Sequence, residues 1–431
     1  MIRKLHKFFR LKFRRKKWKF VLRLFRDVFQ YKTAEQDLNI LQRIALRRFA
    51  YAKSGFRLLE IQSQLELQTP ICALTEGARY SVKEPRRLGC NSHERCGTFP
   101  PIMANLFKGV VVSGYSSSFL KDNSLFVPEY YVANPQALVN DGNMLFWQSE
   151  SGKGLIHQYE IYPKKTGIMA FGTGVENWYH WLIEVLPTVY SARNLPCEYN
   201  TYPFVVPEEV FNIPQFKESF DLVRGTRDVE FLKRDLYRFE NLIAVDKLTR
   251  EPMNLRSGVW PRAEDYAFDC AALKEYRSYI LSKLYIERED VNRKLFLARG
   301  NSRRSYNQEE LLAIAESHGF EAVYPERLSF REQVQLFSTA KYIVGPSGAA
   351  FANTLFCSRG TRLLTWVLSE YSGFCSFTNI ATAVGADLRY IFVDSGTSLQ
   401  STSGAYSAQY NVPVAEFEAG LAAMLLASSD W

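Results

Sequence analysis

The stretch from Lys341 to Trp366 constrains the fold more than any other part of this sequence. A short apolar run over 342–344 ends at the turn Gly345-Pro346-Ser347-Gly348, and small apolar residues follow at 349–356. This order predicts a strand, a tight turn, the start of a helix and then a second strand at 362–367. The free backbone N–H groups of such a junction suit an anion such as phosphate.

The same alternation of strands and helices extends on both sides of this stretch. Strands are predicted at 294–298, 322–324, 342–344, 362–367 and 388–393. A helix is predicted to begin at Asn307, with Glu310 completing a capping box. Strands that alternate with helices predict a parallel sheet with right-handed crossovers, which is a Rossmann-like domain.

The N-terminal half predicts a second α/β unit. Short apolar runs separated by turns over 105–162 predict a β-meander, and 167–171 predicts a further strand. A helix follows over 175–190, and Pro187 is expected to kink or end it. We therefore predict an α/β fold divided into a basic arm (1–30), a helical extension and linker (31–100), an N-terminal domain (101–275), a C-terminal domain (276–395), and a tail with a closing helix (396–431).

The net charge of +9 is concentrated at the N-terminus. Residues 1–26 contain twelve Lys and Arg and no acidic residue, so the remaining chain carries 9 − 12 = −3. A body of this charge argues against a nucleic-acid-binding surface. Because aromatic and aliphatic residues alternate with the basic ones, we expect 1–30 to bind an anionic membrane surface; a disordered or partner-binding arm remains the alternative. No run has the length of a transmembrane helix or the pattern of a signal peptide.

The seven cysteines are odd in number and scattered, so a disulfide framework is not indicated and a reducing cytosol is expected. Cys90, His93 and Cys96 could supply three metal ligands, but a fourth is missing; two free thiols in a loop are the alternative. The mixed-charge segment 31–68 could form helices that mediate oligomerisation.

The first candidate site lies on the predicted helix after Gly174. Asn177, His180, Trp181 and Glu184 are spaced so that they share one helical face. A carboxylate one turn after a histidine can hold the imidazole in one tautomer and raise its basicity, as a general base requires. The alternative is that His180 and Trp181 only pack near a strand end.

The second candidate site is the basic loop after the strand 294–298. Arg299, Arg303 and Arg304 would lie at the carboxyl end of a parallel strand, beside the turn 345–348, and arginine matches phosphate oxygens bidentately. The alternative is a solvated loop. There is no P-loop, no G-x-S-x-G, no G-x-G-x-x-G opening a βαβ unit, and no Asp-x-Asp placed to hold a metal-bound diphosphate.

Together these segments resemble glycosyltransferase family 61. The resemblance rests on four segments: Asn177-Trp178-Tyr179-His180-Trp181-Leu182-Ile183-Glu184-Val185-Leu186-Pro187; Arg299 with Arg303, Arg304 and Asn307; Phe330-Arg331-Glu332-Gln333; and Gly345 to Asn353. The resemblance as a whole covers roughly 105–395. The resemblance implies two Rossmann-like domains facing across a cleft (the GT-B type) and an inverting, metal-independent transferase.

The resemblance also implies roles for individual residues. His180, oriented by Glu184, would be the general base, and Asn177 and Trp181 would contact the acceptor. The nucleotide-sugar donor, which is a substrate and not a tightly bound cofactor, would meet Arg299, Arg303, Arg304, Gly345, Ser347, Gly348 and Asn353. The bacterial relatives implied are cytoplasmic capsular or cell-surface polysaccharide enzymes, peripheral on the inner face of the membrane, with glycan or lipid-linked acceptors.

One residue departs from the family pattern. Ser347 stands where a histidine is common, and serine can bond a phosphate but supplies neither positive charge nor a base. Ser347 therefore keeps open the alternative of a non-catalytic, membrane-associated scaffold with the same fold. A nucleotide-sugar epimerase, whose two-domain fold is similar, is a second alternative.

Overall fold

The computed structural model describes residues 56–139, 144–149, 152–157, 160–286, 290–300, 305–396, 399, 402–405 and 408–426. The predicted arm at 1–30 and the predicted extension as far as residue 55 lie outside the described residues. Two large sheets with helices packed around them organise the described chain into a mixed α/β fold.

The strands of the described chain are numbered in chain order. They are β1 Phe56–Ser63, β2 Thr69–Ala73, β3 Ala78–Lys83, β4 Glu94–Phe99, β5 Met103–Val112, β6 Phe119–Lys121, β7 Ser124–Val127, β8 Ala137–Leu138, β9 Leu145–Gln148, β10 Lys153–His157, β11 Ile161–Met169, β12 Phe204–Pro207, β13 Val229–Leu232, β14 Leu236–Val245, β15 Thr249–Arg250, β16 Asn254–Leu255, β17 Ala267–Phe268, β18 Arg293–Leu297, β19 Glu321–Val323, β20 Ala340–Pro346, β21 Arg362–Leu368 and β22 Asp387–Val393.

The α-helices are numbered in the same way. They are α1 Glu129–Ala133, α2 Trp178–His180, α3 Leu186–Ser191, α4 Glu208–Phe211, α5 Pro214–Arg224, α6 Cys270–Lys283, α7 Gln308–Ser317, α8 Phe330–Ser338, α9 Ser376–Val384, α10 Thr402–Ala405 and α11 Val414–Leu426. A π-turn, Trp181–Val185, joins α2 to α3, and we call the continuous helix 178–191 the His180 helix. None of the described helices combines the length and the apolar character needed to cross a bilayer.

The C-terminal sheet confirms the strand–helix alternation predicted from the sequence. Its five strands are parallel in the order β19-β18-β20-β21-β22. Gly345 is needed where β20 meets β18, because a Cβ there would lie 2.7 Å from the Cβ of Leu297. The segment after the turn is a 3₁₀ helix, Ala349–Phe356, where the sequence predicted a helix without distinguishing its type.

The N-terminal sheet is only partly Rossmann-like. Strands β13, β12, β11 and β14 are parallel neighbours, and β5 continues the sheet antiparallel to β14. The predicted meander is confirmed at β5-β6-β7, which pair antiparallel in turn. The parallel part matters for function, because the carboxyl ends of β11 and β14 lie side by side.

The prediction of helix and linker for the described residues before 101 is wrong. β1 pairs with β7 and β10 inside the N-terminal sheet, and β2 pairs with β5. The hairpin β3–β4 packs against the C-terminal half: Thr378 Oγ1 of α9 donates to the Lys83 carbonyl at 2.6 Å, and the Tyr390 N–H donates to the Arg86 carbonyl at 2.8 Å. This hairpin, which we call the N-terminal brace (78–99), joins the two sheets.

Two further details correct local predictions. Asn307 does not cap α7; its amide bonds the Glu310 carboxylate and the backbone of Val412, so the predicted capping box is wrong there. A capping box forms instead at α8, between Ser329 and Glu332. One buried apolar cluster includes residues from both sheets, among them Ile168 and Leu363, so the core is continuous between the two sheets.

Candidate active site

A loop fitted closely to His180 leads from β11 into the His180 helix. Gly174 has a φ of +81°, and a Cβ there would lie 2.7 Å from the imidazole carbon Cδ2, so glycine is required both for the backbone and for the space. Thr173 and Ser117 exchange backbone N–H to hydroxyl bonds of 2.9 and 3.0 Å, which fix the loop to the connection between β5 and β6. Asn177 then caps the helix by accepting from the Tyr179 N–H at 2.9 Å.

The His180 helix continues past Pro187 because it contains a wider turn. The Leu186 N–H bonds the Trp181 carbonyl, five residues back, and the next residue, Pro187, has no N–H to give. The helix therefore does not end at Pro187, as the sequence allowed, but runs to Ser191. Single π-turns are rare and frequently occur at functional sites.

The centre of the site is a histidine, a carboxylate and a lysine. His180 Nδ1 lies 3.0 Å from Glu184 Oε1, and the Lys247 ammonium contacts Glu184 Oε2. The Glu184 side chain is 2% exposed and that of His180 is 18% exposed, so the carboxylate is buried while the imidazole is partly accessible to solvent. Burial alone would raise the pKa of Glu184, but Lys247 and His180 outweigh burial and hold that pKa well below its usual range.

This geometry can support proton abstraction. An ionised Glu184 accepts the Nδ1–H of the neutral imidazole, which leaves Nε2 as the atom able to take a proton. No described side chain bonds Nε2. The sequence pairing of His180 with Glu184 on one helical turn is therefore confirmed as a contact.

Sequence reasoning missed two charged residues of this cluster. Lys247 lies two residues beyond β14, the parallel neighbour of β11, so its position at the carboxyl end of a strand was a signal that could have found it. Glu251 follows the two-residue strand β15, in a segment that the sequence predicted only as a loop. Its sole local signal, an acid before a proline, is common on surfaces.

Glu251 is tied to both halves of the chain. Its Oε2 accepts from the Tyr179 hydroxyl at 3.1 Å and from the Ser376 hydroxyl, at the start of α9, at 2.6 Å. Burial, together with the negative charge of Glu184, raises the pKa of Glu251 to about 7. A carboxyl that is protonated below about pH 7 and one that stays ionised thus lie beside the same histidine.

His180, Glu184 and Glu251 also offer donor atoms within 4.8 Å of one another, a spacing that a metal ion could use. Lys247 already contacts the outer oxygen of Glu184 and supplies the positive charge that an ion would bring. The arrangement is therefore that of a buried ion pair, and the expectation of metal independence remains a prediction.

The two predicted acceptor contacts have other roles in the described structure. Trp181 is completely buried; its Nε1–H donates to Ser219 at 2.9 Å and its ring packs on Phe216. The prediction that Trp181 contacts the acceptor is wrong, because helical spacing alone did not reveal that α5 covers this face. Asn177 is exposed, and its side-chain oxygen caps the helix, so its predicted contact with the acceptor stays a prediction.

A polar chain joins the His180 helix to the C-terminal sheet. The Trp178 Nε1–H donates to Asn353 Oδ1 at 3.0 Å, and Asn353 Nδ2 donates to Gln333 Oε1 at 2.8 Å. Asn353 is fully buried, and its amide oxygen and nitrogen both bond other side chains, so it is enclosed by the protein rather than open to a ligand. Its predicted role as a phosphate ligand is wrong; it fixes one half of the chain against the other.

The basic loop and the glycine turn converge, as the sequence predicts. An Arg299 guanidinium nitrogen donates to the Ser347 carbonyl at 2.7 Å, and a Cβ on Gly348 would lie 3.1 Å from that group. Ser347 and Gly348 are half-buried, whereas Gly345 is buried against β18. Contact of Gly345 with phosphate is therefore contradicted by its packing. Arg303 and Arg304 lie outside the described residues.

The mixed α/β architecture, with its large sheet, fits an α/β glycosyltransferase fold. The family model for Glycosyltransferase 61 matches residues 178–364, which is less than half of the chain but includes His180, Glu184, Lys247, Glu251 and the glycine turn. This match supports the resemblance to family 61 and suggests glycosyl transfer, for which the family implies a nucleotide-sugar donor and a glycan acceptor. No curated protein matches the chain.

Proposed function

We propose that this protein is an inverting glycosyltransferase that transfers a sugar from a nucleotide-sugar donor to a hydroxyl group of a cell-surface glycan or its lipid-linked precursor. The observation that carries the proposal is the 3.0 Å contact between His180 and a buried Glu184 that is also paired with Lys247. A neutral imidazole held in this way is a suitable base for an acceptor hydroxyl.

In the proposed reaction, His180 Nε2 takes the proton of the acceptor hydroxyl as its oxygen attacks the anomeric carbon. The bond from that carbon to the nucleoside diphosphate breaks on the opposite face, so the sugar inverts. Glu184 stays ionised and stabilises the imidazolium that forms. Lys247 balances the charge of Glu184, so the site gains one positive charge when the proton arrives.

The donor is proposed to lie on the C-terminal sheet, in a two-domain arrangement of the GT-B type. Its support is the convergence of Arg299 with Ser347 and Gly348 at the carboxyl edge of that sheet, where open α/β sheets bind ligands. The guanidinium and the turn would meet the departing diphosphate. The polar chain from Trp178 to Asn353 links this edge to the His180 helix.

The proposed location is the inner face of the cell membrane, in capsular polysaccharide synthesis. It is supported by the sequence of residues 1–30, where basic residues alternate with aromatic and aliphatic ones. Such an arm would hold the enzyme close to a lipid-linked acceptor.

The test is a thermal-shift screen of the full chain against nucleoside mono- and diphosphates and nucleotide-sugars. A ligand at about 100 times its dissociation constant should add roughly 2.7 kcal/mol of stability. His180→Ala should keep this shift but lose about 100-fold or more in transfer rate, whereas His93→Ala, at an exposed position, should keep both.

Each rival predicts a different result in this screen. A scaffold, which Ser347 favours, predicts no shift with any nucleotide. An epimerase predicts a shift and a changed sugar with no acceptor present. A His180→Ala variant that transfers at the normal rate would refute the assignment of the base.

A further inference from the structure

Glu251 connects three parts of the described structure at one carboxyl group. It belongs to the segment after β15, its oxygen Oε2 accepts from Tyr179 on the His180 helix, and the same oxygen accepts from Ser376 at the start of α9. Its carboxyl also lies within 4.8 Å of the donor atoms of His180 and Glu184. No cationic side chain of the described residues forms an ion pair with Glu251, whereas Glu184 has Lys247.

A buried carboxyl group and a partly buried one this close cannot both ionise at low cost. When like charges share a site, one group keeps a proton, as two neighbouring carboxyls do in other enzymes. Lys247 and His180 hold Glu184 in its charged form. The proton therefore belongs on Glu251.

We propose that Glu251 is a positioning residue: below neutral pH it carries one proton, donates it in a hydrogen bond to Glu184, and so holds the carboxylate that orients His180. The role in catalysis rests on the proposed function of His180, but the shared proton does not. Because Ser376 belongs to the C-terminal half, the same carboxyl links the orientation of His180 to the position of α9.

The raised pKa of Glu251 determines the direction in which the stability of the fold changes with pH. An acid whose pKa is raised from 4.5 to about 7 on folding stabilises the fold below about pH 4.5 and loses that contribution as pH rises towards 7. Besides His180 and Glu184, the titratable side chains of the described residues that interact electrostatically with Glu251 include Tyr179, Tyr130 and Tyr131. Burial raises the pKa of each tyrosine further above 10, so none of them titrates in this window.

The experiment compares Glu251→Gln with the wild type in the full chain. Glutamine stays neutral at every pH, can accept from Tyr179 and Ser376, and can donate an N–H to Glu184. The melting temperature of Glu251→Gln relative to wild type should rise between about pH 4.5 and pH 7 and then level off. The full window of 2.5 pH units corresponds to a change of about 300-fold in the unfolding equilibrium. Glu240→Gln, at an exposed position on β14, should show no such trend.

Ser376→Ala provides a second test, because it removes a hydroxyl group that donates to the Glu251 carboxyl. The serine hydroxyl favours the ionised form of Glu251, so its removal should extend the loss of stability to higher pH than in wild type. A difference between Glu251→Gln and wild type that stays constant from pH 5 to 9 overturns the proposal. If Glu251→Gln does not fold, a Ser376→Ala profile identical to wild type overturns it instead.

The rate of sugar transfer, or of donor hydrolysis, is a measurement that a merely structural role of Glu251 would not change. Wild-type turnover should fall above pH 7, because an ionised Glu251 repels Glu184, while Glu251→Gln should keep its rate there. If wild type and Glu251→Gln show the same dependence of turnover on pH above pH 7, the positioning role of Glu251 is refuted. The melting experiment needs no substrate, so a failure of the proposed transfer leaves its outcome readable.

Discussion

Replacing Lys247 with methionine should show how far the buried charge of Glu184 depends on a single cation. Methionine keeps the apolar stem of lysine but removes the ammonium that contacts Glu184 Oε2. Breaking a fully buried ion pair costs about 3–5 kcal/mol. The Lys247 side chain is 32% exposed and His180 still donates to Glu184, so we expect the lower end, about 3 kcal/mol.

Thermal denaturation is the assay for Lys247→Met. An unfolding entropy of about 2.1 cal/mol/K per residue, over 431 residues, gives about 0.9 kcal/mol/K, so the melting temperature should fall by about 3 °C. The lowered pKa of Glu184 means that the pair stabilises the fold above about pH 4.5 and loses this contribution as pH falls further. The loss of stability in Lys247→Met relative to wild type should therefore be complete at pH 7 and become smaller as the pH falls below about 4.5.

A second substitution separates charge from packing. Glu184→Gln in the Lys247→Met background removes the stranded carboxylate, so the double variant should be more stable than Lys247→Met alone. Lys233→Met, at an exposed position, is the control and should leave the melting temperature unchanged. If the effects of the two substitutions simply add, Lys247 does not hold the charge of Glu184 and the reasoning is refuted.

Two further predictions concern the parts that position the site. Trp178→Phe removes the N–H that satisfies the buried Asn353 oxygen, so it should cost about 1–3 kcal/mol; an unchanged melting temperature would contradict a role for this bond. Gly174→Ala and Gly225→Ala both introduce a Cβ at positive φ, at about 1–2 kcal/mol each, but only the first meets His180. The transfer rate should therefore fall in Gly174→Ala alone. Equal activity in the two variants would contradict the conclusion that Gly174 leaves the space that His180 needs.

The parallel sheet and the His180–Glu184 contact were predictable because their signals are local. Strand–helix alternation survives in the order of residues, and two side chains four positions apart on a helix meet by geometry. Lys247 and Glu251 reach the same point from 63 and 67 residues beyond Glu184, so only the pairing of β11 with β14 brings them there.

The sequence predictions that were wrong share a different cause, because distant parts of the chain determine which residues are buried and paired. Trp181 and Asn353 have types and spacings that fit ligand contacts, but α5 and Gln333 enclose them. Residues 56–100 lack long apolar runs, yet strand pairing and the contacts of the N-terminal brace with α9 order them. Neither the covering helix nor the pairing partner can be read from the local sequence.

The N-terminal brace has a consequence for how the chain folds during synthesis. Lys83 precedes its partner Thr378 by 295 residues. At about 5–20 residues per second, the brace leaves the ribosome about 15–60 s before α9 exists. During that interval the face of the brace that α9 will cover stays open to other contacts. The C-terminal sheet, in turn, completes its packing only by contacting a segment made 295 residues earlier, so neither half reaches its final form until α9 has been made.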